Sequence, residues 1–243
     1  WITGGIDNDG YNAPGCLDTQ RSVGEVPVNL QDGLGWSFVS VDPSPTEWWG
    51  VIWWVYHPES GNRYAIDVIR RRMNPEDFLS LDLNTFEFSG LMTDLRERSI
   101  EQRAPISHVI VEINAAQRWL LQQPHVQKWA QATGVTFVPH STNVNKADPK
   151  FGLESIGDLF RQCFIRLPWG NPSSRLKVQF LVNEATQYPD GDTTDLIMST
   201  WFGKLAVENH YSPRSGLGYR RDVPGYVSRR GGAPVRRGLS YAQ

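Results

Sequence analysis

Two apolar runs, Trp36-Ser-Phe-Val-Ser-Val-Asp42 and Val51-Ile-Trp-Trp-Val-Tyr56, flank the break Pro43-Ser-Pro-Thr-Glu-Trp-Trp-Gly50. Both are dense in β-branched and aromatic residues, and the Pro/Ser/Gly break interrupts them, so they predict a hairpin of buried strands. Strands with apolar residues at nearly every position, tryptophans included, are buried on both faces. Asp42 closes the first run, where a strand leaves the core and a carboxylate can be held rigidly at a cleft. It also precedes Pro43, and Asp-Pro pairs start turns, so this stretch alone leaves both roles open.

The chain of 243 residues is long enough to bury a sizeable core, and a hydrophobic content of 40% with ten Trp marks it as globular. No apolar run nears the roughly 20 residues of a membrane span. The chain starts at Trp1 with no signal-peptide pattern, and we read it as a piece of a longer protein. Cys16 and Cys163 form no CxxC and no disulfide framework, which fits a reducing compartment. Charge is uneven. Seven Arg against the single Asp222 give residues 212–243 a charge of +6, so the net −2 of the whole leaves −8 for the rest. A basic segment on an acidic body suits a polyanionic partner, a solvated tail being the alternative.

Three regions follow from composition: a Gly/Asn/Asp/Pro-rich linker or arm over 1–30, a folded domain over 31–211, and a basic, disordered tail over 212–243. Within the domain, Arg63-Tyr-Ala-Ile-Asp-Val-Ile69 predicts a third strand after a turn at 59–62, completing an antiparallel meander. Arg70–Arg72 read as its solvated end. Asn74-Pro-Glu-Asp opens a short helix. A longer one over 86–103 puts Leu91, Leu95 and Ile100 on one face. His108–Ile113 and Val135–Pro139 predict parallel strands, with helices at 115–122 and 125–133 between them. Further on come helices at 151–161 and 173–187, a strand at 163–167, and a strongly apolar helix over 195–209 that Thr194 is able to cap. The sum is an α/β fold: a central mixed sheet, antiparallel meander plus parallel strands, with helices on both faces in the ribonuclease H-like order.

Glu112 is the odd residue in the buried run Val109-Ile-Val-Glu-Ile113, and Asp195 begins the last helix after Gly191-Asp-Thr-Thr. If that topology holds, Asp42, Glu112 and Asp195 converge at one edge. Three carboxylates there repel one another, and burying each ionised costs several kcal/mol, which a divalent cation relieves. Oxygen donors without a zinc-like His/Cys set select Mg²⁺ or Mn²⁺, one or two ions. Two ions about 4 Å apart activate water and stabilise the leaving oxygen of a phosphodiester. Taken singly, each acid has an ordinary role: Glu112 can pair with Arg118, and Asp195 suits a helix N-terminus.

Phe38-Val-Ser-Val-Asp42-Pro-Ser, Val109-Ile-Val-Glu112 and Gly191-Asp-Thr-Thr-Asp195-Leu-Ile-Met-Ser-Thr-Trp-Phe202 resemble the motifs of the nuclease domain of tailed-bacteriophage large terminase subunits. The resemblance spans about 36–210, with Thr142–Lys146 similar to the family's Lys-bearing loop. It implies a ribonuclease H-like metal-dependent endonuclease that cuts concatemeric double-stranded phage DNA during packaging. Asp42, Glu112 and Asp195 take the catalytic, metal-ligand positions. Lys146, in its polar loop, is the candidate for contact with the DNA phosphate or the active site, a solvated loop lysine being the alternative. The portal ring, the small terminase subunit and a host-cytoplasm location are implied with it. Thr194 stands where the family often has a second acid; Asp192 supplies that carboxylate or none does. No GxxxxGK[ST] loop exists, so this chain carries no ATPase half. Two rivals stay open: a Holliday-junction resolvase or transposase of the same fold, and a non-catalytic DNA- or portal-docking module.

Overall fold

Residues 36–71 form the middle of a seven-stranded sheet. The computed structural model describes residues 5–6, 12–13, 15–44, 48–113, 118–141 and 152–211. The described residues all fall within one compact unit, Trp1–Ser212. The strands are β1 (Gly5–Ile6), β2 (Asn12–Ala13), β3 (Leu17–Asp18), β4 (Trp36–Asp42), β5 (Trp49–Tyr56), β6 (Arg63–Arg71), β7 (Ser80–Leu81), β8 (Phe88–Ser89), β9 (His108–Glu112), β10 (Thr136–His140) and β11 (Ile165–Pro168). The helices are α1 (Pro75–Phe78), α2 (Leu91–Glu101), α3 (Arg118–Gln122), α4 (Pro124–Thr133), α5 (Ser155–Arg161), α6 (Pro172–Gln187) and α7 (Asp195–Tyr211).

The main sheet runs β10-β9-β4-β5-β6-β11-β3, while β1 pairs with β2 and β7 with β8. β5 is antiparallel to both neighbours; the other pairings are parallel. Six strands therefore end at the same edge, the place where α/β sheets commonly bind ligands. The block β6-β5-β4-β9-β10 is the meander followed by two parallel strands, the ribonuclease H-like order expected from the sequence.

Both faces are covered. Trp49, Val51, Trp53 and Val55 pack under α1, α2 and α4, whereas Ile52, Trp54 and Tyr56 pack under α5, α6 and α7. Buried indole N–H groups need acceptors. Alternate serines of β4 provide them on opposite faces: Trp53 donates to Ser37 Oγ at 2.9 Å and Trp54 to Ser40 Oγ at 2.8 Å. A bulge lets Ile66 slip between the Trp53–Asp67 and Trp54–Ala65 pairs. It re-phases β6, so that Ala65 and Val68 share a face and Ile66 points to the other.

Four local expectations change. The stretch read as part of a linker, 15–30, packs into the domain: β3 joins the sheet, and Cys16 and Leu30 are fully buried. Tertiary pairing orders it where local periodicity is absent. Ile100 is 48% exposed, off the buried face of α2. Arg70 is not a solvated strand end, as shown below. Thr194 is not what receives the first free N–H groups of α7; Glu184 is. The basic segment over 212–243 lies outside the described residues.

Candidate functional site

Asp42 and Glu112 end adjacent parallel strands, each one step beyond the paired Val41 and Val111. Glu112 is buried, with 7% exposure, and Asp42 is half-buried. On the far side of Asp42 the register partner is Gly50, and Gly50 in turn pairs with Arg70. Asp195 reaches this edge because its backbone lies on Gly50: a Cβ there would stand 2.5 Å from the Asp195 carbonyl carbon and 3.0 Å from Leu196 N. Only glycine lets α7 come so close. A second clamp lies nearby, where the Ser40 and Ser199 hydroxyls are 2.9 Å apart and Ser199 Oγ donates to Ser40 O at 2.9 Å. The sheet thus brings the three sequence-selected acids to one edge.

Arg70 Nε stands 3.6 Å from Asp195 Oδ2 and 3.3 Å from Glu184 Oε1, with its side chain 13% exposed. Its guanidinium lies against the Trp48 ring at 4.8 Å and the Phe180 ring at 5.6 Å. Arg72 stacks on Trp48 too, at 5.3 Å. Glu184, 4% exposed, accepts from Leu196 N at 2.8 Å and Ile197 N at 3.1 Å through Oε2. Its Oε1 accepts from Thr193 Oγ1 at 3.2 Å. Burial pushes the Glu184 carboxyl above its ordinary range; the two amides pull it back, while the charge of Asp195 adds to the rise.

His140 is the register partner of Glu112. Its ring packs on Trp201 at 5.7 Å and Phe202 at 5.1 Å, and its Nε2 is buried with no hydrogen-bond partner among the described residues. Burial holds its pKa below the ordinary imidazole value, with Glu112 pulling the other way. Asp192 is exposed in the turn before α7. Lys146, its Thr142–Lys146 loop and the side chain of Arg118 lie outside the described residues.

Among the described residues no three His, Cys, Asp or Glu side chains are grouped closely enough to hold a metal ion. The donor chemistry nonetheless fits a hard divalent cation: three carboxylates, one buried and one already facing a cation, Arg70. Composition and spacing missed Arg70 and Glu184. The signal for Glu184 is a lone acid three residues beyond Leu181, on a helix stripe that buries Val178, Leu181 and Val182.

No family model matches the sequence, and no curated protein matches it either. Solved structures similar to the chain include a manganese-soaked, inhibitor-bound human cytomegalovirus terminase nuclease domain. It is 9% identical with a TM-score of 0.46, over 77% of this chain and 88% of that one. The large terminase of a thermophilic bacteriophage is also similar, at 10% identity and a TM-score of 0.42, over 86% of this chain and 48% of the phage protein. Among the described residues no helix is long and apolar enough to cross a membrane.

Proposed function

We propose that this sheet edge is the active site of a divalent-metal-dependent endonuclease, the nuclease half of a large terminase. It cuts concatemeric double-stranded phage DNA in the host cytoplasm during genome packaging, alongside a portal ring and a small terminase subunit. Asp42, Glu112 and Asp195 hold Mg²⁺ or Mn²⁺, and Lys146 contacts the DNA. The domain spans 31–211, with the basic segment over 212–243 as an appended tail.

The observation that supports this reading is that Asp42 and Glu112 end adjacent parallel strands, while Gly50, the register partner of Asp42, admits the backbone of Asp195 at the same sheet edge. A bound divalent ion supplies an activated water and stabilises the leaving oxygen. The chain's own residues supply the rest. β4 and β9 hold Asp42 and Glu112 on a rigid frame, and burial of Glu112 strengthens its field by excluding water. Arg70 sets a positive charge beside Asp195.

Plasmid digestion in Mn²⁺ tests the proposal, comparing the intact chain with Asp42→Ala and Asp195→Ala. Cutting by the parent alone is expected; equal cutting by all three proteins removes the assignment. The ion pair between Arg70 and Asp195 favours one rival, a DNA- or portal-docking module in which a resident guanidinium replaces the metal. That rival gains if the parent binds DNA, binds no Mn²⁺ and cuts nothing.

A further inference from the structure

We infer that Glu184 is the positioning residue for Asp195, an inference that rests on the nuclease reading above. Its two carboxylate oxygens reach both sides of Asp195 in sequence. One takes the N–H groups of Leu196 and Ile197, and the other takes the hydroxyl of Thr193 and faces Arg70. Residues 193, 196 and 197 are thereby tied to a single rigid acceptor on α6, and the first turn of α7 is pinned with its acid at the sheet edge.

Stability of the helix end does not call for this arrangement. A Ser or Thr hydroxyl at the N-cap satisfies the same donors. Thr194 stands immediately before α7, yet the acceptor is a buried carboxylate brought from another helix. Glu184 carries the same charge as its neighbour Asp195 and is desolvated, two costs that a neutral cap avoids. What the carboxylate adds is a joint hold on Arg70, which lies within ion-pair distance of both acids. Trp48 and Phe180 confine the Arg70 guanidinium in turn. Glu184 therefore sets the backbone that carries Asp195 and the cation that faces it. Partners that orient a metal ligand in this way typically matter by about 10–100-fold in metal affinity or activity.

The full 243-residue chain is compared with Glu184→Ala, Glu184→Gln and Asp195→Asn. Mn²⁺ affinity is read by electron paramagnetic resonance without DNA, alongside plasmid cutting and thermal melting. Glu184→Ala is expected to lose about 10–100-fold in Mn²⁺ affinity well below its melting point. Glu184→Gln keeps an oxygen for the two amides and should recover part of that loss. A Glu184→Ala protein that melts earlier but binds Mn²⁺ like the parent has lost only a structural contact, which overturns the inference and leaves the nuclease reading intact. If Glu184→Ala does not fold, Glu184→Gln decides: a folded variant with parental Mn²⁺ affinity and parental cutting overturns it. A parent that neither binds Mn²⁺ nor cuts removes the nuclease reading, and this inference falls with it.

Discussion

Gly50→Ala tests the geometry of the carboxylate edge without touching a carboxylate. The added methyl would sit 2.5 Å from the Asp195 carbonyl carbon and closer still to its oxygen, with Leu196 N at 3.0 Å. All three are backbone atoms, so no side-chain rotation relieves the clash. Reaching an ordinary separation of about 3.5 Å requires the start of α7 to retreat by roughly 1 Å. Overpacking of this kind costs about 1–3 kcal/mol. For a domain of this size that lowers the melting temperature by roughly 2–12 °C. The same retreat carries Asp195 away from Asp42 and Glu112, and a misplacement of about 1 Å costs on the order of 100-fold in rate. Melting followed by tryptophan fluorescence, and Mn²⁺-dependent plasmid cutting at a temperature where both proteins are folded, measure the two effects separately. Gly157→Ala in α5 is the control, because a Cβ there meets nothing within 4 Å. If Gly50→Ala melts and cuts like Gly157→Ala, α7 does not lie against β5 as described and the site geometry fails.

Three further outcomes are expected. Ser40→Ala leaves the Trp54 indole N–H, at 1% exposure, without its acceptor and should cost about 1–3 kcal/mol in denaturant unfolding; an unchanged midpoint refutes the role given to that hydroxyl. Asp67, fully buried, receives Arg98 and Lys177 at 2.8 Å each. Because both cations keep about a third of their side-chain exposure, Asp67→Asn should cost about 2–3 kcal/mol rather than the larger penalty of a fully buried pair, and chemical denaturation reads it. His108 and His210 face each other at 5.6 Å, both against Trp36, and burial depresses both pKa values below 6.5. Their contribution to stability is present above pH 6.5 and declines as the pH falls from there toward the folded values, because the unfolded chain binds the protons first. Melting temperatures from about pH 8 to about pH 5 should fall less steeply in His210→Phe than in the parent; parallel curves would show that the pair is not responsible.

The sequence alone determined the layering and the choice of acids. Its continuous apolar runs at 36–42 and 51–56 require cover on both sides, and the structure puts helices there because nothing else shields such strands from water. Glu112 was visible as a charge inside an apolar strand, and Asp42 and Asp195 as acids at element ends. Only the tertiary structure decided how those ends meet. Parallel pairing of β4 with β9 and the approach of α7 to Gly50 join residues far apart along the chain, which no local periodicity encodes. The same holds for Arg70 and Glu184. By sequence they read as a solvated strand end and one acid on a long helix, and they acquire a role because β6 and α6 bring them to Asp195. Propensity and patterning act over a few residues, whereas the cost of a buried charge depends on what stands within a few ångströms of it in space.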